Sequence, residues 1–197
     1  KYYKPLKVSD RIVIKPSWEQ YNSRDDEIVL EMDPGMAFGT GTHETTTLCI
    51  DALDRYLKSG AKVVDIGCGT GVLAVSSLLL GAEKATAVDL DSNAVQITKE
   101  NAKRNRVDHR LEVIHGNQLD QVHGQFDIAV ANIIADVIID LTKSIGSFLK
   151  PKGLFIASGI ILDRLQDVID GAEAAGLELI EKKTKGEWAV VVCKANA

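Results

Sequence analysis

The chain predicts an α/β fold: a doubly wound sheet of seven strands, mostly parallel with an antiparallel edge hairpin, plus a short N-terminal β segment. Three observations carry this. From Val63 onward, short β-branched apolar runs alternate with stretches of helical periodicity, the pattern of βαβ units. The first run, Val63-Val64-Asp65-Ile66, leads into Gly67-Cys68-Gly69-Thr70-Gly71 and then an apolar helical stretch over residues 72–80, giving the order strand, tight loop, helix. A second strand, Ala85-Thr86-Ala87-Val88, ends in Asp89, roughly 20 residues further on, the spacing of an acid that takes the hydroxyls of a bound ribose.

The 197 residues have room for one sizeable domain with a small appendage. Hydrophobic residues at 45% and charged residues at 26% mark a globular rather than a disordered chain. A net charge of −5 without a basic stripe argues against direct contact with nucleic acid, and is compatible with a cationic protein substrate. Cys49, Cys68 and Cys193 show no paired spacing, which points to a reducing compartment and to no metal site. No apolar run approaches ~18 residues and no signal peptide is visible, so no membrane partner is expected and the location is read as cytoplasmic. The chain begins at Lys1 rather than Met, and reads as a fragment or a processed chain, leaving room for a further domain upstream.

Taken in order, residues 1–32 form the N-terminal β segment. Arg11-Ile12-Val13-Ile14 and Glu27-Ile28-Val29-Leu30 are its strands, with a polar loop over residues 20–26 between them. Residues 33–197 form the main domain. A loop rich in Gly and Thr runs to a helix starting near Thr42 or His43, with Thr42 as cap and Leu48, Ala52, Leu53 and Leu57 as its apolar face. After Asp89, Ser92 caps a helix running to about residue 106 with Ala94, Val95, Ile97 and Ala102 inward. Strands follow over residues 111–115 and 126–131, then a helix over residues 135–149. Pro151-Lys152-Gly153 is a turn, residues 154–157 a fifth strand, and residues 161–175 a helix ending at Gly176. Residues 177–183 and 187–193 form the final hairpin. In such sheets ligands sit beyond the C-terminal strand ends, where strand order reverses, and Asp65, Asp89 and Asn132 each stand at such an end.

The glycine spacing narrows the ligand. In a dinucleotide fingerprint Gly67 and Gly69 fit the first two positions, but the third falls on Val72, with Gly71 one residue early. A phosphate-binding loop of the Walker type needs Gly-Lys-Ser or Gly-Lys-Thr, and neither occurs. An acid-first D-x-G-x-G-x-G loop with a later ribose acid resembles the Rossmann-like, seven-stranded S-adenosylmethionine-dependent methyltransferases over residues 63–115. Two further segments, Asp33-Pro34-Gly35-Met36-Ala37-Phe38-Gly39-Thr40-Gly41-Thr42-His43-Glu44-Thr45-Thr46 and Val130-Ala131-Asn132-Ile133-Ile134-Ala135, closely resemble the bacterial ribosomal protein L11 methyltransferase family. That resemblance runs from Pro16-Ser17-Trp18 to Glu187-Trp188. It implies S-adenosylmethionine as cofactor, and as activity the methylation of the N-terminal amine and lysine side chains of one large-subunit ribosomal protein. It maps the binding positions to Thr46, Gly67, Asp89 and Asn132. It also implies a small N-terminal domain that grips the ribosomal protein, which this sequence lacks. Another protein lysine or a small-molecule amine is the alternative acceptor.

The chemistry required is displacement by a neutral amine. A free lysine amine with a pKa of ~10.4 is mostly protonated at pH 7, an α-amine at ~7.7–8.0 less so, so the site must favour the neutral form. Asn132 is the candidate catalytic residue: its side-chain carbonyl can accept an amine N–H and aim the lone pair. Related enzymes acting on nucleobases or glutamine carry Asn/Asp-Pro-Pro-Tyr here. The Asn132-Ile133-Ile134-Ala135 run has no proline or aromatic, which favours an aliphatic amine. Asp89 accepts from the ribose, with Asp91 as competitor. Gly67 and Gly69 admit the methionine part, Asp65 takes its ammonium directly or through water, and Thr46, Phe38 and Thr40 close the other side. His43 reads as structural rather than as a base, His109, His115 and His123 as surface residues, and Trp18 and Trp188 as core or edge packing.

Overall fold

The structure, a computed structural model, describes residues 3–34 and 43–196. Three short strands open the chain: β1 (Leu6–Lys7), β2 (Ile12–Lys15) and β3 (Ile28–Glu31). They form their own sheet, with β1 antiparallel and β3 parallel to the central β2. The expected pair of strands is there, and β1 is an addition too short for periodicity to reveal. Buried Ile12, Ile14 and Leu30 pass the small sheet's apolar face into the same core as the first two helices. Arg11 fixes this attachment, its Nε donating to Asp54 Oδ1 at 2.6 Å and its backbone N–H to Asp54 Oδ2 at 3.0 Å.

The rest alternates: α1 (Glu44–Tyr56), β4 (Lys62–Ile66), α2 (Val72–Leu79), β5 (Lys84–Asp89), α3 (Ser92–Arg104), β6 (Leu111–His115), β7 (Phe126–Asn132), α4 (Ala135–Ile145), β8 (Leu149–Ile161), α5 (Leu165–Ala174), β9 (Glu178–Lys185) and β10 (Trp188–Lys194). The main sheet has the order β6-β5-β4-β7-β8-β10-β9, parallel from β6 to β8 and antiparallel where β10 meets β8 and β9. Successive strand residues face opposite sides. Val63 and Val130 therefore pack under α1 and α2, while Val64 and Ala129 pack under α4 and α5. Helices on both faces require strands apolar on both faces, which is why β4 and β7 read as near-continuous hydrophobic runs.

Several boundaries differ from the sequence expectation, each for a local reason. Asp91 rather than Ser92 caps α3, its carboxylate accepting the Asn93 N–H at 2.9 Å. Along α3, Ile97 is only half-buried, and Thr98 and Asn101 turn inward instead. Thr42 lies outside the described residues, and the cap of α1 is His43, whose Nδ1 accepts from the Thr45 N–H at 3.2 Å. Helix α4 stops at Ile145, where a 3-10 turn (Gly146–Phe148) tightens the chain into β8. Strand β8 is far longer than expected, absorbs the Pro151-Lys152-Gly153 turn, and runs on to Ile161 because β10 pairs with it there, Trp188 opposite Ile161. The apolar Ile160-Ile161-Leu162 run thus belongs to a strand and a 3-10 turn, and α5 begins only at Leu165. Trp18, expected in packing, is 57% exposed.

Candidate active site

Strand order reverses between β4 and β7, and the loops that leave their C-terminal ends meet there. The loop after β4 is closed by backbone bonds: Gly67 and Cys68 N–H groups reach the Val88 carbonyl, and Gly71 N–H reaches the Cys68 carbonyl. Gly67 sits at φ +72, and a Cβ there would lie 2.8 Å from Ile133 Cγ2. Gly159 in β8, at φ +86, would bring a Cβ within 2.3 Å of the Ile133 carbonyl oxygen. The segment after Asn132 is therefore seated between two glycines that no larger residue could replace without moving it. The Ile133 N–H completes the seat by donating to the Ser158 carbonyl at 3.1 Å.

Two carboxylates organise the glycine loop from behind. Asp65, 1% exposed at the end of β4, accepts the Ala74 N–H at 3.1 Å and so satisfies a first-turn donor of α2. Burial pushes its pKa up to about 7, against the pull of that hydrogen bond and with help from the charge of Asp89. Asp89, half-buried at the end of β5, accepts the Gly69 N–H at 2.9 Å on Oδ2 and the Asp91 N–H at 2.9 Å on Oδ1. A carboxylate offers about four lone-pair positions. The two N–H groups take one position on each oxygen. Asp91 uses its own carboxylate on α3, which leaves Asp89 as the acid facing the loop.

On the other side of the switch point, Asn132 is half-buried and its Nδ2 donates to Thr46 Oγ1 at 3.3 Å. Thr46 itself is 0% exposed. Beside Asn132 opens a cleft of about 410 Å³, walled by Ile133, Ile134 and Val137 together with His43 and Trp188. His43 and Trp188 meet edge to face, ring centroids 5.3 Å apart at 69°. Trp188 is therefore a wall of this cleft and not only packing, and the aromatic surface missing from the loop after β7 comes from β10. Nothing in the local sequence marks Trp188 for this role, because its neighbours in the cleft come from α1, β7 and β8. His43 Nδ1 takes part in the helix cap, accepting the Thr45 N–H at 3.2 Å. His109, His115 and His123 are exposed as expected. A larger hollow of about 600 Å³, lined in part by Tyr56, Lys58, Asp127 and Lys150, lies at the N-terminal ends of β4 and β7, the end of the sheet away from the glycine loop.

The sequence-predicted residues thus fall into three groups. Gly67, Gly69, Asp89 and Asn132 come together around the switch point with solvent-accessible surface. Asp65 and Thr46 stand behind them, fully buried. Phe38 and Thr40 lie outside the described residues. Among the described residues no cluster of His, Cys, Asp or Glu could hold a metal ion, and no helix is long and apolar enough to cross a membrane.

A parallel doubly wound sheet with an acid-anchored glycine loop at its switch point and an antiparallel edge hairpin is the Rossmann-like methyltransferase fold. A solved structure of ribosomal protein L11 methylase from Lactobacillus delbrueckii subsp. bulgaricus superposes with a TM-score of 0.93 at 30% identity, covering 99% of this chain and 100% of that one. The family model for ribosomal protein L11 methyltransferase (PrmA) matches residues 1–196, and the chain belongs to that family. The ribosomal protein L11 methyltransferases of Alkaliphilus metalliredigens and Acetivibrio thermocellus are each 50% identical over 194 residues, or 98% of this chain. The chain spans 61% and 62% of the length of those two relatives.

Proposed function

We propose that this chain is the catalytic domain of a protein amine N-methyltransferase. Its donor is S-adenosylmethionine, and its acceptors are the N-terminal amine and lysine side chains of ribosomal protein L11, a large-subunit protein. Residues 33–197 form the catalytic unit, 1–32 are the β segment leading into it, and the setting is the cytoplasm. The observation that carries this function is the pairing of two walls at one switch point: an acid-anchored glycine loop, and an apolar cleft that ends at Asn132.

The residues fit the donor. Gly67 is exposed and can have no side chain, so a ligand can lie against the main chain there. Asp89 keeps acceptor positions for ribose hydroxyls while holding Gly69. Asp65, buried behind the loop, acts on the ligand through the α2 terminus it caps. When bound, the donor supplies a methyl group on a positively charged sulfur. Everything else falls to the chain. The cleft walls of Ile133, Ile134, Val137 and Trp188 take the aliphatic part of the acceptor and disfavour its ammonium form, since burial disfavours charge. The Asn132 carbonyl accepts an N–H of the neutral amine and points its lone pair at the methyl carbon. Alignment of this kind is worth effective molarities of ~10⁵ M or more, so no protein base has to take part in the bond-making step.

The test is transfer of labelled methyl from S-adenosylmethionine to purified L11, with mass spectrometry of the product, for the chain and for Asn132→Ala. The expected result is label on amines of L11, a turnover lower by about a thousandfold in the variant, in the range of lost transition-state alignment, and nearly unchanged donor affinity by calorimetry. Because the chain spans under two thirds of its relatives, free lysine and other lysine-bearing proteins belong in the same assay. Transfer to those but not to L11 points to the alternative acceptor, and transfer to no amine refutes the function.

A further inference from the structure

We infer that Thr98 and Asn101 of α3 are positioning residues for the methyl donor, which hold the glycine loop in its binding shape by its carbonyl groups. The Thr98 hydroxyl donates to the Gly69 carbonyl at 3.0 Å, and Asn101 Nδ2 donates to the Thr70 carbonyl at 2.8 Å. The Gly69 N–H is fixed in turn by Asp89 Oδ2 at 2.9 Å. Gly69 is thus gripped on two sides, its N–H by the end of β5 and its carbonyl by α3. Thr98 also reaches the last glycine of the loop. A Cβ at Gly71 would lie 2.7 Å from Thr98 Cγ2 and 2.9 Å from Thr98 Oγ1. This contact, together with φ +80, accounts for a glycine at position 71.

Residues 98, 101 and 105 follow one another at steps of three and four, so they form a polar stripe along one face of α3 and its C-cap. The stripe is anchored at its far end. Asn105 Oδ1 accepts the Glu31 N–H at 2.8 Å, and its Nδ2 donates to the Glu31 carbonyl at 2.9 Å and to the Asn101 carbonyl at 2.8 Å. Arg104 adds an ion pair with Asp33 at 2.8 Å. One end of the stripe is therefore tied to the end of β3, and the other holds the loop. Apolar side chains at 98 and 101 would leave the Gly69 and Thr70 carbonyls without these donors. The methionine part of the donor ends in a carboxylate, which a helix N-terminus favours and carbonyl lone pairs oppose. Carbonyls bonded to α3 are not free to turn toward that anion.

This inference rests on the glycine loop being the S-adenosylmethionine site, and its experiment keeps the two separable. Thr98→Val preserves shape and removes the hydroxyl, and Thr98→Ser keeps the hydroxyl. Calorimetry should show S-adenosylmethionine binding weaker by about five- to tenfold in the valine variant, the size of one hydrogen bond, and within about twofold of wild type in the serine variant. Asn101→Asp, which cannot donate to the Thr70 carbonyl, should weaken binding in the same direction. If valine prevents folding, Thr98→Ser and Thr98→Ala lack the same methyl group and isolate the hydroxyl. Val168→Ala, in the core under α5, controls for stability: it should lower the melting temperature and leave donor affinity as it is. A second readout is amide hydrogen exchange in the ligand-free chain. The Gly69 and Gly71 N–H groups bond to Asp89 and Cys68 rather than to α3, so faster exchange in Thr98→Val reports a loosened loop. Unchanged donor affinity in Thr98→Val, an equal loss in Val168→Ala, or loop amides that exchange no faster would each overturn the inference. If the wild-type chain binds no S-adenosylmethionine, the donor reading fails, and the exchange experiment still decides whether α3 holds the loop.

Discussion

The two walls of the switch point are built in different ways. The glycine-loop wall is made from one stretch of chain, Asp65 to Gly71, and from Asp89 at the end of the next strand. Backbone N–H groups bonded to carboxylates and carbonyls hold it. The Asn132 wall is assembled from α1, the end of β7, Gly159 of β8 and the start of β10, and is held by close packing around Ile133 and by side-chain bonds such as Asn132 to Thr46. The first wall is polar and local; the second is apolar and long-range. Damage should therefore separate cleanly, ligand affinity failing on one side and acceptor alignment on the other.

The largest effect should come from Gly159→Ala, which strikes the packed wall. The left-handed backbone and the collision with the Ile133 carbonyl together should cost roughly 4 kcal/mol of stability. A melting-temperature loss well above that of Gly60→Ala, where a Cβ meets nothing within 4 Å despite φ +84, isolates the collision from the backbone strain. The polar wall should respond next, through pH. Asp65 has a folded pKa of about 7, above the ordinary unfolded value of ~3.9, so the folded state holds the proton longer. That group's contribution to stability is then lost as pH rises through this interval. Asp65→Asn, which cannot ionise, should gain about 3 kcal/mol on wild type between pH 5 and pH 8 in urea titrations. A difference independent of pH would break the assignment. Asp89→Ala should weaken donor binding by about 2 kcal/mol, since it removes a charged acceptor from both ligand and loop, and should leave acceptor KM little changed. Trp188→Ala is the mildest, raising the acceptor KM by about tenfold through the lost aromatic wall with donor affinity intact. Parallel losses of donor affinity in Trp188→Ala would show that the walls are not separate.

How much of this could be read from sequence follows the same division. The glycine loop, Asp89 and the strand–helix alternation were legible because each depends on neighbours a few residues away or on a regular spacing. The boundaries that failed were those set by distant partners. Residues 160–162 look helical until β10 claims them, and Ser92 looks like a cap until the stronger acceptor beside it, Asp91, takes the position. Trp188 shows the same limit at the cleft: the residue was visible, but its place in the wall beside Asn132 was not.

By itself the sequence determined the α/β class, the switch-point loop, the acid at the end of the following strand and the family to which the chain belongs. These are consequences of backbone geometry repeated along short stretches. Only the tertiary structure decided which groups keep accessible surface at the switch point and which stand buried behind them. It buried Asp65 and Thr46, left Asp89 and Asn132 open, and brought Trp188 from the far end of the chain to the mouth of the cleft. Burial and side-chain pairing depend on all elements at once, so no window of sequence around any one of these residues contains them.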